Sequence, residues 1–440
     1  MPTNLTHHIQ ETPLVDTHEH MRKEPEWLNN GPDILQDLFG NYVPADLYTA
    51  GATPQAMKRL MDASDADIAG RFEGIRAAWE ATQFTGYGEA VRLIAKHIYS
   101  IDELTPQSLA QAQDKTKTLR QPGERYRLLH DVANLDHIQT DDFCWPCLPD
   151  HSGLDFFFYD LSWASFCGGQ IDPKAIQTET GIEVTNVATL KSAMGAIFEK
   201  YAPCAIAVKS QHAYNRTLDW IERSDAEASA ALDQVLRKPG NEISVETRLC
   251  LGDWCWARGA ELSIEHNLPF KIHTGYYAGN DRMPVRRIPA GNMCALFTRY
   301  LNAKFVLMHI AYPYNDELVA LAKHYRNIWV DLCWAWSIDP YSSRDFLRRF
   351  LHAVPSNKVF AFGGDTGWPT SAMAYAIQAR NEIRRALEAE IADGYMTEKQ
   401  AMRIATRIMR GNQYACFDVE GTRASIHAAA QANAGKEDAA

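Results

Sequence analysis

Three histidines and one aspartate stand where their side chains could bind a metal ion. His18 and His20 are two residues apart in the run Val-Asp-Thr-His-Glu-His, His273 follows the apolar run Phe-Lys-Ile, and Asp365 follows Phe-Gly-Gly. Residues two apart on a strand point to the same side, so His18 and His20 can bind one ion, whereas the glutamate between them points away. We therefore predict a divalent-metal site made of His18, His20, His273 and Asp365. Zinc is the first expectation, and manganese, iron or nickel would accept the same ligands.

Two side chains are candidates for proton transfer. Asp365 can take a proton from metal-activated water, because a bound metal lowers the pKa of water toward about 7 and a carboxylate then serves as acceptor and donor. His309 ends the apolar run Phe-Val-Leu-Met-His. It is either a second metal ligand or a general acid that stabilises the transition state, and we favour the second role.

Lys209 ends another apolar run, Ala-Ile-Ala-Val-Lys. A lysine at such a position needs a partner for its charge. Three roles are open: a carbamylated bridge between two metal ions, a contact to a substrate carboxylate or carbonyl, or a structural ion pair. We favour the substrate contact, and hence one metal ion, with two expected if Lys209 is carbamylated.

Further residues around these positions are expected to contact the substrate. Arg282 lies in the segment after His273, and an arginine there suits an anionic group through a bidentate contact. Tyr312 follows His309 in Ala-Tyr-Pro-Tyr. Trp334 comes after a later strand, where it either forms the wall of an apolar or sugar-binding pocket or packs in the core. The predicted substrate is therefore a small and anionic molecule.

The elements that must position these residues are short apolar strands separated by amphipathic helices, which is typical of parallel βαβ units. The strands are predicted at 13–18, 136–140, 155–160, 205–209, 269–273, 304–309, 327–331 and 358–362. Eight such units predict an α/β fold, a (β/α)₈ TIM barrel. All strand ends then open onto one face, so the candidate residues converge although they are far apart in the sequence.

A stretch at about 32–132 lacks strand patterns and is predicted to be a mainly helical insertion after the first strand. It is too long for an ordinary βα loop. We expect one barrel domain over 1–424, and a flexible tail over 425–440 because that segment is rich in alanine.

Composition excludes several classes of partner. The formal net charge of -11 argues against nucleic acid and anionic membranes as partners, because both require a basic face. No signal-peptide pattern or apolar run of membrane-spanning length is evident, so a cytoplasmic location is expected. The nine scattered cysteines are expected to be mainly buried free thiols, and the single pair Cys144-Trp-Pro-Cys147 is weak evidence for any metal or redox role. A homo-oligomer is compatible with the sequence.

The order His-x-His, Lys, His, His, Asp along the strands resembles the amidohydrolase superfamily. The runs 15–20, 268–275, 307–314 and 363–365 resemble its amidohydrolase-related (amidohydrolase 2) branch, which is similar to uronate isomerases and to the barrel fused to glutamine-synthetase-like proteins. The resemblance extends from about 13 to 417. It implies a divalent metal, often zinc, on His18, His20, His273 and Asp365, with a catalytic role for His309.

The resemblance leaves the reaction open. We expect a metal-dependent hydrolase in which activated water attacks the carbonyl of an amide, lactone or ester. The alternative is a decarboxylase or a uronate-isomerase-like enzyme on the same site, although Asn280-Asp-Arg282 stands where uronate isomerases carry Arg-Asn, which argues against isomerisation. A non-enzymatic barrel would lack a ligand, yet every predicted ligand position is filled.

Overall fold

The computed structural model describes residues 3–437, in which eight parallel strands follow one another in chain order around a barrel. The strands are β1 Leu14–Glu19, β2 Leu135–Thr140, β3 Phe157–Ser162, β4 Ala205–Ser210, β5 Phe270–Ile272, β6 Phe305–Leu307, β7 Ile328–Asp331 and β8 Val359–Phe360. The barrel closes between its first and last strands, because the Thr17 amide donates to the Phe362 carbonyl (3.1 Å) and the Asp365 amide donates to the His18 carbonyl (2.9 Å). The predicted (β/α)₈ barrel is confirmed.

The strands are short and almost entirely buried, as expected for parallel strands covered on both faces. Charged side chains inside the barrel are paired. The Lys271 ammonium donates to both carboxylate oxygens of Asp160 (2.8 and 2.9 Å) and to the Thr17 carbonyl (2.7 Å). This pair joins β5 to β3 and β1 below the open ends of the strands.

The chain between β1 and β2 is helical. After α1 Asn4–Glu11, which precedes β1, this segment forms α2 Glu24–Asn30, α3 Ile34–Phe39, α4 Val43–Thr49, α5 Pro54–Leu60, α6 Ile68–Glu73, α7 Arg76–Thr82, α8 Gly86–His97, α9 Pro106–Ala112, α10 Thr116–Leu119, α11 Glu124–Tyr126 and a π-helix Arg127–Val132. Buried hydrogen bonds tie it to the barrel: Asp37 of α3 accepts from the Thr370 hydroxyl (2.6 Å) and from Tyr99 (2.7 Å).

The remaining helices surround the barrel. They are α12 Ala164–Cys167, α13 Pro173–Thr180, α14 Val187–Tyr201, α15 Asp225–Arg237, α16 Val245–Glu265, α17 Cys294–Arg299, α18 Asn315–His324, α19 Ala335–Ile338, α20 Pro340–Ala353, α21 Pro369–Ala392, α22 Glu398–Thr406, α23 Asn412–Cys416 and α24 Val419–Glu437. Among the described residues, no helix has the length and apolar character needed to cross a bilayer. All nine cysteines are free; Cys147 of the Cys-x-x-Cys pair is buried and Cys144 is exposed.

The C-terminal segment differs from the predicted flexible tail over 425–440. It is helical through residue 437, and residues 438–440 lie outside the described part of the chain. Ile426 (2% exposed) and Ala430 are buried, and Ile426 packs with Phe158 and Ile206 from the strands. The two buried residues are four positions apart, about one helical turn, so they lie on one face of the helix. Burial of this face stabilises a segment that composition alone suggests is flexible.

Candidate active site

The mouth of the barrel gathers His18 from the end of β1, His20 just beyond it, and Asp365 after β8. The Nε2 atoms of His18 and His20 each lie 3.4 Å from Oδ1 of Asp365. Ligand atoms of these three residues all lie within 4.8 Å of one another. Ligands ~2.1 Å from a tetrahedral zinc ion lie roughly 3.4 Å apart, so the spacing suits one ion.

The ring orientations of three histidines are fixed by backbone carbonyls, which only accept hydrogen bonds. The pairs are His20 Nδ1 with the Asp141 oxygen (2.8 Å), His309 Nδ1 with the Cys333 oxygen (3.0 Å) and His273 Nε2 with the Tyr276 oxygen (2.9 Å). The hydrogen of each neutral ring is therefore engaged, and the other nitrogen carries a lone pair. His273 Nδ1 and His309 Nε2 lie only 2.9 Å apart. Two lone pairs that face each other at this distance repel, unless a shared proton or a metal ion lies between them.

The imidazoles of His18, His273 and His309 are neutral near pH 7. Burial, followed by the charge of Lys209, lowers the pKa of His18 well below its ordinary value, and burial with the neighbouring His309 does the same for His273. Burial lowers the pKa of His309 to about 4. Burial alone would raise the pKa of Asp365, but the hydrogen bond and charge of His18 outweigh it and hold that pKa well below the usual range. Neutral rings beside a carboxylate are a donor set that suits a divalent cation.

His273 is set apart from the other three predicted ligands. The cluster formed by His18, His20 and Asp365 does not include it, and its two nitrogens face His309 and the Tyr276 carbonyl. A second group of candidate ligand atoms joins His309 to Asp365 and Cys333, with His309 Nε2 at 3.7 Å from Asp365 Oδ2. The Asp365 carboxylate thus lies between His18 and His20 on one side and His309 on the other.

The loop that carries Asp365 is pressed closely onto β1. A Cβ atom on Gly364 would lie 2.0 Å from the Glu19 carboxylate, so only glycine fits there. The Glu19 carboxylate accepts the Thr366 amide, and Asp16 accepts the amides of His18 and Gly364 (both 3.2 Å). Asp16 therefore orients the backbone of the site.

Strained backbone is concentrated at this face of the barrel. Positive φ angles occur at several residues of the mouth, among them Phe143 (58°), His309 (61°), Trp334 (60°) and Asp365 (57°). Such conformations cost about 1–3 kcal/mol each for residues other than glycine and persist where surrounding structure enforces them. Strain at a ligand, at its neighbours and at the candidate base favours a functional role for the face.

A cavity of about 500 Å³ opens over the cluster. It is lined by His20, Tyr42, Phe143, Ser162, Ala164, Ser165, Lys209, Gln211, Tyr214, Asn215, His273, Ala278, Arg282 and Asp365. The buried Lys209 ammonium lies 3.0 Å from His18 Nε2, and the nearby Asp160 is paired with Lys271 instead. Two of the predicted substrate-binding residues, Lys209 and Arg282, therefore line this cavity.

The other two predicted substrate-binding residues do not line it. Trp334 is 1% exposed and lies behind the cavity wall, with its ring 4.4 Å from that of Tyr42 and 5.4 Å from that of His309. Tyr312 packs toward Tyr276, with ring centroids 6.0 Å apart. Trp334 precedes α19 directly and is covered by the helical insertion, whose position the strand pattern does not give.

Tyr42 and Phe143 are cavity residues that the sequence did not single out. Tyr42 comes from the helical insertion and donates a hydrogen bond to the Asp365 carbonyl. Phe143 follows β2 and stacks on the His20 ring (4.3 Å, 9° between planes). No local pattern marks Tyr42, whereas the position of Phe143 just beyond a strand end could have drawn attention to it.

Comparisons with known proteins relate part of the chain to a family. Residues 209–398 match the profile of the family described as Amidohydrolase. Protein fluG of Emericella nidulans is 28% identical over 201 residues, which are 45% of this chain and 22% of fluG, so the match spans less than a quarter of that relative.

Solved structures share the fold at low sequence identity. The uronate isomerase of Thermotoga maritima superposes with a TM-score of 0.79 at 13% identity, over 94% of this chain and 96% of that one. A protein of Lactobacillus casei, whose proposed activity is metal-dependent hydrolysis, has a TM-score of 0.64 at 15% identity, over 96% and 99% of the two chains.

Proposed function

We propose that the protein is a metal-dependent hydrolase of a small anionic amide, lactone or ester, and the match of residues 209–398 to the amidohydrolase family profile supports this. The observation that carries the proposal is the position of the Asp365 carboxylate. Its Oδ1 lies 3.4 Å from His18 and His20, and its Oδ2 lies 3.7 Å from His309. One carboxylate thereby connects a pair of candidate ligands to a neutral imidazole.

The donor atoms of His18, His20 and Asp365, all within 4.8 Å of one another, suit one divalent ion, and Nδ1 of His273 would complete the set if it turned from His309 toward the ion. Zinc suits such nitrogen and oxygen ligands. A bound ion of this kind polarises a carbonyl group and lowers the pKa of water. One ion is expected, because Lys209 lines the cavity and is assigned here to a contact with the substrate.

The protein's own groups bind the substrate and move the proton. Arg282 and Lys209 bind the anionic group and the carbonyl region from the cavity wall. Asp365 accepts the proton of the attacking water, and the leaving group takes this proton when the bond between the carbonyl carbon and the leaving atom breaks. His309 keeps its Nδ1 hydrogen on the Cys333 carbonyl, so its Nε2 is a proton acceptor before it is a donor. This refines the role of general acid that the sequence favours.

The metal site is tested by elemental analysis of protein purified without chelator. We expect about one ion per chain in the wild type, a large loss in His20→Ala, and no loss in His97→Ala, an exposed histidine on α8. Lys209→Ala should keep the ion; its loss would indicate a carbamate-bridged pair. A wild type that binds no ion after reconstitution would contradict the proposal.

The reaction is tested separately, with lactones and esters by acid release in a pH-stat and with N-acyl amino acids by colorimetric detection of the freed amino group. A second candidate reaction is favoured by the likeness to the uronate isomerase fold over 94% of the chain. Ketose formation from a uronate, or carbon dioxide release from a carboxylated aromatic, without any hydrolysis, would replace the hydrolase proposal by an isomerase or a decarboxylase.

A further inference from the structure

A second cavity of about 380 Å³ lies beside the active-site cavity, and we call it the annex. Phe143, Ser162 and Ser165 line both cavities. The annex is otherwise bounded by Cys144, Trp145, Pro146, Phe166, Gln170, Ile171, Asp172, Ala175 and Ile176. Since the two cavities share a wall, a molecule bound at the metal cluster can extend into a mainly apolar space.

Phe143 forms the boundary between the two cavities, and the protein holds it there against backbone strain. Its φ angle is 58°, and its amide donates to the Asp141 carboxylate (2.9 Å). The Asp141 carbonyl accepts the Nδ1 hydrogen of His20 (2.8 Å). One residue therefore orients both the ligand imidazole and the phenyl ring stacked on it.

The Phe143 side chain is nevertheless poorly covered, at 62% exposed. An aromatic ring that is rigidly placed and still open to water gains stability when a ligand covers it. Trp145, which stacks on Phe166 with centroids 5.6 Å apart, continues this aromatic surface into the annex.

The two cavities differ in charge, and this difference orients a bound molecule. Lys209 and Arg282 place positive charge in the active-site cavity. Asp172 is the charged residue that lines the annex, and its carboxylate caps α13 by accepting the amides of Lys174 (3.1 Å) and Ala175 (3.0 Å). An anionic group is therefore attracted toward Arg282 and an uncharged apolar group toward the annex.

We propose that the annex binds an apolar tail of the substrate, so that the substrates are carboxylated amides or esters that carry an aryl or alkyl group on the side of Phe143. The nature of the bond that is cleaved rests on the proposed function. The binding of the tail does not, because it depends on the walls of the annex and on Phe143.

Calorimetry with benzoate, 4-phenylbutyrate and 6-phenylhexanoate tests the annex, since these carboxylates have no bond to hydrolyse. The affinity of the wild type should rise about threefold for each added methylene group that becomes buried. Ala175→Trp fills the annex and should remove this dependence on tail length. Gln177→Trp, on an exposed position of the same helix α13, is the matched control and should keep it.

Gln170→Trp, which enters the annex from an exposed position outside α13, provides a second filling variant if Ala175→Trp does not fold. Equal affinity for the three carboxylates in the wild type would overturn the proposal. So would a dependence on tail length that survives in the folded filling variants. If the affinity depends on tail length but no amide or ester is hydrolysed, the hydrolase proposal is wrong and the proposal that the annex binds an apolar tail is kept.

Discussion

Phe143 adopts a backbone conformation that glycine tolerates and other residues resist. Replacing it by glycine or by alanine removes the same stacking contact with His20, but only glycine also relieves the strain at φ 58°. We expect Phe143→Ala to be less stable than Phe143→Gly by about 1 kcal/mol in urea unfolding. Equal stability of the two variants would show that this turn is unstrained in solution.

In the proposed mechanism, His309 exchanges a proton with Asp365 and does not hold the metal ion. We expect His309→Gln to lower kcat by about 10²- to 10⁴-fold, because glutamine cannot take up and return a proton. The metal content measured by elemental analysis should stay at the wild-type value. A variant that loses its metal in parallel with its activity would make His309 a ligand instead.

Some residues of the site can be predicted from the sequence and others cannot, and the reason is physical. His18, His20, Lys209, His273, His309 and Asp365 all follow apolar strands, and the geometry of a parallel barrel brings such positions together. Trp334 and Tyr312 also follow strands, yet their side chains point into packing that depends on the helical insertion. Contacts between distant segments decide which residues at the strand ends face the cavity. The local sequence does not show these contacts.

At the scale of elements, a buried ion pair joins the helical insertion to the loop that carries Phe143. Arg125 of α11 donates to Asp150 (2.8 Å), and their side chains are 1% and 9% exposed. We expect Asp150→Asn to lower the free energy of unfolding by about 3 kcal/mol at pH 7, because it leaves the guanidinium buried without a counter-charge. Arg76→Gln, in the exposed pair with Glu73, is the control and should change little.

The ion pair between Arg125 and Asp150 also predicts how the stability difference between the wild type and Asp150→Asn depends on pH. Burial would raise the pKa of Asp150, but the charge of Arg125 and hydrogen bonds from Ser152 and Arg125 outweigh it and hold this pKa below its ordinary value. Its contribution to stability is therefore complete above about pH 4 and is lost as pH falls further. The deficit of Asp150→Asn in urea unfolding should stay constant above about pH 4 and shrink as the pH falls below it; a deficit that stays constant below about pH 4 would contradict the ionic origin.

The strands were predictable because buried parallel strands are continuous apolar runs, and all eight predicted runs became strands. Helices were less predictable. Within the stretch at about 32–132, the sequence does not show where one short helix ends and the next begins, as between α6 and α7. Helix ends are set by capping, as where Ser224 and Glu227 form a capping box at α15, and short caps are easily overlooked beside longer hydrophobic patterns.

At the scale of the whole molecule, the candidate site and a separate apolar cluster lie at opposite ends of the barrel. The candidate ligands, the strained residues and both cavities lie beyond the carboxyl ends of the strands. The other end is filled by a separate apolar cluster of Phe158, Ile206, Val306 and Phe360, covered by Ile426 from α24. A substitution at the second end should therefore act on folding without reaching the site.

Ile426→Ala tests this separation. Removing a side chain that is 2% exposed should cost about 2–4 kcal/mol of unfolding free energy, because a cavity remains beneath the barrel. Metal stoichiometry and kcat at a temperature where the variant is folded should match the wild type, since Ile426 belongs to the apolar cluster with Phe158 and Ile206. Ile221→Ala, the same change at a position 50% exposed, should leave stability nearly unaltered. Loss of metal from folded Ile426→Ala would mean that the barrel transmits strain along its strands, and the two ends would then have to be treated as one coupled unit.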